Sequence, residues 1–305
     1  MNHILSASQF TKEDVECILS RSGEMEAQCV SGKVEKLLSG KVIACIFFEP
    51  STRTRLSFES AAQRLGAGVI SAENAAENSS AHKGETTEDT TRIVNCYSDA
   101  MIMRHYEPGA ADAAAKVSTK PVINAGDGAH EHPTQGLLDL YTIQKEHGRL
   151  ENLSIAFVGD LLYGRTLHSL LPLLSLFPNN TFYFLAPKEL AVPEKYKDML
   201  TAKNLRFVET DNLEETLKNA DVVYMTRVQK ERFDSEEEYL RVKDAFLLKQ
   251  EHLAYMKPDA VIMHPLPRVN EIDHAIDTDK RAAYFRQAQN GLYVRMALLA
   301  YVFGL

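Results

Sequence analysis

The sequence predicts an α/β protein of two domains, each built on a mainly parallel sheet flanked by helices. Two observations lead to this prediction. The chain has 305 residues, about twice the length of an average domain. Short segments of β-branched and aromatic residues alternate with longer segments of helical period, a pattern typical of βα units around a parallel sheet.

Six short apolar segments are predicted as strands, because β-branched and aromatic residues dominate them and polar or glycine-containing sequence follows each. They are VIACIFF from Val42, AMIMR from Ala100, SIAFVG from Ser154, TFYFLA from Thr181, DVVYM from Asp221 and AVIMH from Ala260. The sequence EHPTQG interrupts this series, so we expect two sheets with a junction near His132 to Thr134.

The helices are indicated by apolar residues three and four positions apart, with glycine or proline near the ends. The clearest are TRLSFESAAQRLGA, TQGLLDLYTIQKEHG and GRTLHSLLPLLSLF, and residues 284–303 are predicted to form one long terminal helix. The segment from Ser71 to Glu85 is polar and rich in small residues, without an apolar period. We therefore expect a long surface loop there, and loops of such length are often functional.

Charge and cysteine content restrict the kinds of partner and compartment. The 34 basic and 42 acidic residues give a net charge of −8, which argues against broad binding to nucleic acid or anionic membranes but allows a local anion-binding pocket. The four cysteines form no C-x-x-C pair, as expected of buried thiols in a reducing compartment. The sequence shows neither a basic leader before an apolar core nor about 20 consecutive apolar residues. We expect a cytoplasmic protein.

The strongest candidate site is the segment IFFEPSTRTRLSFES, from Ile46 to Ser60. A helix N-terminus offers unpaired N–H groups and the positive end of a dipole. Four side chains add hydroxyl donors and a planar guanidinium: Ser51, Thr52, Arg53 and Thr54. These groups predict a phosphate site, although an N-capping serine with solvated arginines explains the residues equally well. The chain carries no P-loop signature.

Further candidates follow other predicted strands and the junction. Arg104 follows AMIM and Arg165 follows SIAFVG, and α/β proteins bind ligands at such strand ends. The alternative for Arg104 is an ordinary surface arginine, and the alternative for Arg165 is a simple turn at the start of a helix. His132 and Gln135 offer polar side chains at the junction. A metal site would use His130 with His132, but two histidines without a placed carboxylate are weak evidence, and no metal is expected.

Two late segments complete the set of candidates. In TRVQKER, Arg227 and Gln229 alternate on an extended segment, so both can face one ligand. The basic residues that follow can equally well be surface residues that contact only water. In HPLPR, two prolines fix the backbone, so Leu266 and Pro267 can offer preset carbonyl acceptors to an amine or cationic group. A rigid structural turn is an equally good explanation of HPLPR.

Together, STRTR at a helix start, HPTQ in mid-chain and HPLPR near the end resemble the aspartate/ornithine carbamoyltransferase family. The resemblance covers nearly the whole chain and is strongest to the aspartate carbamoyltransferase catalytic chains. It implies a carbamoyl-phosphate-binding domain of residues 1–133 plus 286–305, to which the C-terminal helix returns, and an aspartate-binding domain of residues 134–285. It also implies transfer of the carbamoyl group to the amine of L-aspartate in pyrimidine biosynthesis, without metal or cofactor.

The family's catalytic unit is a homotrimer with active sites shared between subunits, so the resemblance implies the same assembly here. Ser79 and Lys83 match the positions that reach into the neighbouring subunit's site. The resemblance to bacterial chains that bind a zinc-containing regulatory chain also implies such a partner, which would join trimers into a larger allosteric assembly.

The resemblance also assigns roles by position. Carbamoyl phosphate is expected to be bound in part by Ser79 and Lys83 and by Arg104, which reaches both its phosphate and its carbamoyl oxygen. The residues expected to hold the phosphate group are Ser51, Thr52, Arg53 and Thr54. The expected catalytic residues are Arg53, Thr54, Lys83, Arg104 and His132, of which Thr54, Arg104 and His132 polarise the carbamoyl oxygen. The carbamoyl amide and the attacking amine are expected to contact Gln135, Leu266 and Pro267. The aspartate contacts are expected to be Lys83, Arg165, Arg227 and Gln229. Glu49 is expected to hold Arg165 and Arg232 when the domains close.

Two alternatives remain open. An ornithine carbamoyltransferase shares the phosphate half but typically has a cysteine in an H-C-L-P motif, where this chain has Pro265. A non-catalytic, anion-binding relative is the second alternative. The chain departs from close relatives at His82, where a second lysine is common, and at Asn270, where an aspartate anchors the loop near residues 230–245.

Overall fold

The computed structural model describes residues 3–78, 82, 84–228, 233 and 235–305 of the chain. The chain separates into two compact units. The first unit runs to Tyr141 and includes His168–Leu170 and Gln289–Leu305. The second unit comprises Thr142–Leu167 and Leu171–Ala288. Among the described residues, no helix combines the length and apolar character that a membrane crossing requires.

The first unit is built on a four-stranded parallel sheet with the strand order β2-β1-β3-β4 among its described residues. Its elements begin with a 3₁₀ turn at Ala7–Gln9 and continue as α1 (Lys12–Ser31), β1 (Val42–Phe47), α2 (Thr52–Arg64), β2 (Gly68–Glu73), α3 (Ala75–Asn78), α4 (Thr87–Asn95), β3 (Ala100–His105), α5 (Ala110–Val117), β4 (Val122–Asp127) and the start of α6 (Pro133–His147).

The second unit is built on a five-stranded parallel sheet with the strand order β7-β6-β5-β8-β9 among its described residues. Its elements are β5 (Ser154–Val158), most of α7 (Arg165–Leu174), β6 (Thr181–Leu185), α8 (Glu194–Ala202), β7 (Arg206–Glu209), α9 (Leu213–Asn219), β8 (Val222–Met225), α10 (Glu236–Val242), β9 (Val261–Met263) and the start of α11 (Tyr284–Val302). Short 3₁₀ segments lie at Lys188–Leu190, Gln250–Ala254 and His274–Thr278.

Each sheet has one point where the strand order reverses direction along the chain. In the first sheet this point lies between β1 and β3, and in the second it lies between β5 and β8. Open α/β sheets bind ligands outside the carboxyl ends of the strands at such a switch point. The topology therefore predicts ligand binding by the segments at the carboxyl ends of β1, β3, β5 and β8.

Each unit has its own apolar core beside its sheet. In the first unit, Ala44, Met101 and Val122 from three strands pack with Ala114 of α5. In the second, strand residues pack with α9, the 3₁₀ segments and Tyr284. Apolar burial of this kind is the main stabilising contribution to folding, so each sheet is a rigid support for the turns at its edge.

The C-terminal helix returns to the first unit, as predicted. Its residues from Gln289 onward belong to that unit. The Tyr301 hydroxyl donates to Asp14 Oδ1 on α1 at 3.1 Å, and the Phe303 ring lies 5.7 Å from Lys41 Nζ. The predicted fold class, two α/β domains with mainly parallel sheets and a returning terminal helix, is confirmed.

The six predicted strands are present, but three strands were not predicted. The strands β2 and β7 lie at sheet edges and are largely exposed, so they lack the continuous apolar run that marks a buried strand. The strand β4 is fully buried, but Asn124 and Gly126 break its apolar pattern. The expected loop from Ser71 to Glu85 is wrong in part, because Ser71–Glu73 completes β2 and α3 follows at once.

Candidate functional site

The turn after β1 places the predicted phosphate-binding residues at the start of a 13-residue helix. Ser51 is the N-cap of α2 with an extended backbone, and its side chain makes no capping bond within the described part of the chain. The N-capping alternative is thus right about the position of Ser51 but not about a capping hydrogen bond to its hydroxyl. Thr54 is buried, whereas Thr52 and Arg53 are exposed. Helix N-terminal N–H groups, hydroxyls and an arginine are thus gathered where an anion is favoured.

Arg104 stands beside this turn because of the strand register. It pairs with Phe47, the last residue of β1, and its carbonyl accepts a hydrogen bond from Phe48 N–H at 2.8 Å. The residue is 8% exposed, and its Nη2 lies 3.2 Å from Glu49 Oε2. A buried guanidinium requires such a partner, so Glu49 holds Arg104 at the switch point of the first sheet.

The loop between β4 and α6 is anchored by Asp127, which is 1% exposed. Its Oδ2 accepts from Gly109 N–H at 2.7 Å, and its Oδ1 accepts from Asn124 Nδ2 at 3.0 Å and from Glu131 N–H at 3.1 Å. His130 Nδ1 lies 3.2 Å from the same carboxylate. Across the described residues, no group of three or more possible ligands surrounds a metal position.

His132 is buried at the end of this loop and held by a chain of hydrogen bonds. Its N–H donates to Ser169 Oγ at 2.8 Å, and the Ser169 hydroxyl donates to Glu131 Oε2 at 2.7 Å. Ala7 N–H donates to the same oxygen at 3.3 Å. Thr134 Oγ1 lies 3.4 Å from His132 Nδ1. Burial raises the pKa of Glu131 in spite of the bonds from Ser169 and Ala7.

Gln135 lies in the first turn of α6 and is 9% exposed. Its Nε2 donates to Asp139 Oδ1 at 2.8 Å, one helical turn later. Asp139 is fully buried. The amide of Gln135 is thus oriented by a carboxylate inside the helix.

In the second unit, β5 and β8 approach each other very closely at their carboxyl ends. Gly159 has a φ of +114°, and a Cβ there would lie 2.4 Å from the Thr226 carbonyl oxygen. The Thr226 hydroxyl donates to the carbonyls of Val158 at 3.0 Å and Asp160 at 3.2 Å. Glycine is therefore required at position 159, since any side chain would separate the two strand ends.

The turns after these strands carry the two predicted arginines of the second unit. Arg165 is the first residue of α7 and is half-buried. The turn before it is held by Asp160 Oδ1, which accepts from Tyr163 N–H at 2.9 Å. Arg227 is also half-buried and lies two residues beyond β8. Both arginines thus follow the strands that form the switch point of the second sheet.

The HPLPR turn after β9 is held by two buried side chains. Leu266 has a φ of +54°, and its N–H donates to His264 Nδ1 at 2.7 Å. His264 Nε2 lies 2.7 Å from Glu271 Oε1, and Glu271 Oε2 accepts from Val269 N–H at 3.0 Å. Burial would raise the pKa of Glu271, but the bonds from His264 and the turn lower it.

The predicted residues of each unit thus lie at the carboxyl ends of its strands. The first unit holds Arg104 near the end of β3, and in the segments that follow β1 and β4 it holds Glu49, Ser51, Thr52, Arg53, Thr54, His132 and Gln135. The second holds Arg165, Arg227, Leu266 and Pro267 in the turns after β5, β8 and β9. Ser79, Lys83, Gln229 and Arg232 lie outside the described residues. Their predicted roles, and that of Glu49 in domain closure, stay predictions.

Several supporting residues were not found from the sequence: Asp127, Glu131, Asp139, Ser169, His264, Glu271 and Arg295. Most are charged residues that the structure buries against the predicted site residues. A signal existed for Asp139, because it follows Gln135 at the i, i+4 spacing at which helix side chains meet. Ser169 and Arg295 are distant in sequence from the residues that they contact, His132 and Phe58, and no local pattern marks them.

Two family profiles together cover nearly the whole chain. The profile described as aspartate/ornithine carbamoyltransferase, carbamoyl-P binding domain, matches residues 2–145. The profile described as aspartate/ornithine carbamoyltransferase, Asp/Orn binding domain, matches residues 151–302.

Individual proteins agree with the profiles. The aspartate carbamoyltransferase catalytic subunit of Bacteroides fragilis is 53% identical over 283 residues, which cover 92% of this chain and 91% of that protein. The catalytic subunit of M. jannaschii aspartate transcarbamoylase superposes with a TM-score of 0.92 at 46% identity and covers 100% and 98% of the two chains. Trypanosoma cruzi aspartate transcarbamoylase, solved with carbamoyl phosphate and aspartate, superposes with a TM-score of 0.93 at 39% identity. The match covers 98% of this chain and 95% of that chain.

Proposed function

Because the chain belongs to the aspartate/ornithine carbamoyltransferase family, we propose that it transfers the carbamoyl group of carbamoyl phosphate to the amine of L-aspartate. The products are N-carbamoyl-L-aspartate and phosphate, in an early step of pyrimidine biosynthesis. Relatives that share about half of its residues over most of their length are aspartate carbamoyltransferase catalytic subunits.

One observation carries the carbamoyl phosphate half of the proposal. The pairing of Phe47 with Arg104 brings a buried, charged guanidinium to the N-terminal turn of α2, where the Ser51 side chain makes no capping bond in the described part of the chain. Carbamoyl phosphate carries a phosphate and a carbonyl oxygen that gains negative charge during the reaction. An arginine beside a helix N-terminus can bind the first and stabilise the second.

The reaction is a direct attack by the aspartate amine on the carbamoyl carbon. A C–N bond forms, the C–O bond to phosphate breaks with its electron pair leaving on the phosphate, and the proton of the attacking amine passes to that phosphate. Thr54, Arg104 and His132 donate to or polarise the carbonyl oxygen, and the chain of bonds through Ser169 fixes the position of His132. Gln135 accepts from the carbamoyl NH₂, and the carbonyls of the HPLPR turn accept from the amide and the amine.

The residues of the second unit bind the other substrate. L-Aspartate carries two carboxylates, and planar guanidinium groups match carboxylates in bidentate pairs. Arg165 and Arg227 are assigned to these carboxylates, together with Gln229. Residues 1–133 plus 286–305 accordingly form the carbamoyl-phosphate-binding domain, and residues 134–285 form the aspartate-binding domain.

The proposed assembly is a homotrimer in the cytoplasm, in which Ser79 and Lys83 of one copy complete the site of the next. The name of the relatives, catalytic subunit, supports a larger assembly. A regulatory chain that binds zinc is the corresponding partner. Sizing of the purified chain, alone and with such a partner, tests this part of the proposal.

A two-substrate assay tests the function directly. Phosphate release from carbamoyl phosphate should require L-aspartate, and the product should be N-carbamoyl-L-aspartate by mass. L-Ornithine is the matched control, because it offers an amine with a cationic side chain in place of the second carboxylate. Release that depends on ornithine would replace the proposal by ornithine transfer. If neither amine gave any phosphate release, despite tight binding of carbamoyl phosphate, the chain would be a non-catalytic relative.

A further inference from the structure

Two buried charged residues of the first unit support the site without contacting the reacting atoms in the scheme above. Asp139 on α6 is fully buried, and Arg295 on α11 is 3% exposed. Burial and the nearby charge of Arg53 lower the pKa of Arg295 to about 10, and Asp139 opposes this shift. Asp139 and Arg295 therefore place opposite charges in one buried region, which the charge of Arg53 also influences.

The position of the Arg295 guanidinium is fixed from two sides. A Cβ at Gly291, one turn earlier on α11, would lie 2.6 Å from Arg295 Nη1. The guanidinium carbon lies 5.0 Å from the centre of the Phe58 ring. Phe58 is buried on α2, the helix that begins with the STRT sequence. The pair thus connects the start of α6 to the helix that bears the phosphate-binding residues.

Asp139 determines which end of the Gln135 amide a ligand meets. The amide nitrogen of Gln135 donates to Asp139 Oδ1 at 2.8 Å. An ionised carboxylate can only accept hydrogen bonds, so the reversed amide would place two oxygens against each other. The Gln135 oxygen is therefore the end presented as an acceptor. Arg295 supplies the opposite charge that a carboxylate in such a buried place needs.

We propose that Asp139 and Arg295 are positioning residues that make Gln135 select the NH₂ of a carbamoyl group over a methyl group of the same size. This inference rests on the proposed function, because it takes carbamoyl phosphate as the ligand. Acetyl phosphate has the same phosphate and carbonyl but carries CH₃ in place of NH₂. A site built to accept a hydrogen bond rejects an analogue that cannot donate it.

The test is the ratio of two dissociation constants, that of acetyl phosphate over that of carbamoyl phosphate, measured by calorimetry. The wild-type ratio should exceed about tenfold, the value of one hydrogen bond in a desolvated site. In the double variant D139N/R295M the ratio should fall by about fivefold or more, because asparagine both donates and accepts and lets the Gln135 amide turn. Affinity for inorganic phosphate should stay within about twofold, since the phosphate contacts are unchanged.

Three further variants make the result decisive. Q135M removes the amide oxygen that accepts the hydrogen bond, so it should give the lowest ratio of the two dissociation constants. R295K keeps the charge and should keep most of the wild-type ratio. G291A retains every ionisable group but crowds the Arg295 guanidinium, so it should lower the ratio by a smaller factor, and it replaces the double variant if that variant does not fold. A loss of affinity for all three ligands alike would reveal a merely structural role and overturn the inference.

The outcomes also separate this inference from the function on which it rests. If the wild-type chain makes N-carbamoyl-L-aspartate but the folded variants keep the wild-type ratio of dissociation constants, only the positioning role is overturned. A wild-type chain that binds both acyl phosphates equally and releases no phosphate with aspartate overturns the proposed function.

Discussion

Three candidate residues of the first unit are set deeper in the protein than the two candidate arginines of the second. Arg104, His132 and Gln135 are each less than 10% exposed, and a carboxylate or a hydroxyl holds each of them. Arg165 and Arg227 are half-buried and stand in turns. The difference follows the chemistry that is proposed for each unit.

Stabilising a developing oxyanion requires donors that are fixed before the reaction and shielded from water, since reorganisation during the reaction would cost rate. Buried groups with their own supporting bonds meet this requirement. Binding two carboxylates requires charge and reach more than rigidity. Turns at the strand ends provide these, and loops on a rigid scaffold often carry recognition. The comparison predicts that substitutions in the first unit affect mainly turnover and those in the second mainly the use of aspartate.

The largest effect is expected for Arg104→Ala. Loss of one oxyanion donor should lower kcat by about 10²–10³-fold, or about 3–4 kcal/mol. Folding should survive, because the Glu49 side chain left behind is only partly buried. Steady-state kinetics at saturating substrates and a thermal melt measure both quantities. Arg64→Ala, at the exposed end of α2, is the control. Near-normal turnover of the Arg104 variant would remove this residue from the mechanism.

A smaller effect of a different kind is expected for Arg227→Ala. Loss of a charged hydrogen bond to a carboxylate, worth about 1.5–3 kcal/mol, should raise the KM for aspartate by about 10–100-fold. The dissociation constant of carbamoyl phosphate should not change. Arg206→Ala, on the exposed edge strand β7, is the matched control. If carbamoyl phosphate affinity fell as much as aspartate affinity, the division of roles between the units would be wrong.

Gly159→Ala tests whether the second group depends on the close approach of β5 and β8. Positive φ costs about 1–2 kcal/mol for a residue with a Cβ, and the contact with the Thr226 carbonyl should add about 1–3 kcal/mol. Gly148→Ala is the control, because Gly148 also has a positive φ, of +70°, but its Cβ would meet nothing within 4 Å. Denaturant unfolding should show the larger loss at position 159. Equal losses would show that the strand ends can separate freely.

The same contrast explains what the sequence predicted and what it did not. Buried strands such as VIACIFF have continuous runs of apolar, β-branched and aromatic residues, and these runs are sufficient to predict them. The edge strands β2 and β7 are exposed and carry no such signal. Parallel edge strands are defined by pairing with a distant neighbour, which local sequence does not encode.

The candidate site shows a similar limit. STRT, HPTQ and HPLPR are local motifs whose chemistry can be read from residue types and spacing. The side chains that orient them come from other elements, as Ser169 of α7 and Arg295 of α11 do. A charged residue on a helix is usually solvated, so only the tertiary structure reveals that Asp139 and Arg295 are buried. Position by position, the family resemblance supplied Ser79 and Lys83, which no local pattern singles out.

The smallest expected effect is on the pH dependence of stability, and it comes from Glu131, which is linked to His132 through Ser169. Burial raises the pKa of Glu131 above its usual 4.5, so the folded protein holds this proton more tightly than the unfolded chain. Its contribution to stability is therefore fully present below about pH 4.5 and is lost as the pH rises through the folded-state pKa. Glu131→Gln stays neutral and can accept the same bonds from Ser169 and Ala7. The variant should gain stability over the wild type as the pH rises, and then level off.

Asp279 in the second unit is the control, because its pKa is shifted in the opposite direction to that of Glu131. Hydrogen bonds from Arg281 lower its pKa to about 2, so its contribution is present above its unfolded value of 3.8 and is lost as the pH falls toward 2. Asp279→Asn should therefore lose stability at neutral pH and approach the wild type in acid, with a modest size because the pair is partly exposed. Unfolding measured from pH 3 to pH 8 should show opposite slopes for the two variants. Parallel slopes would mean that Glu131 is ionised as readily as a paired surface carboxylate, and that the interior around His132 is wetter than its burial indicates.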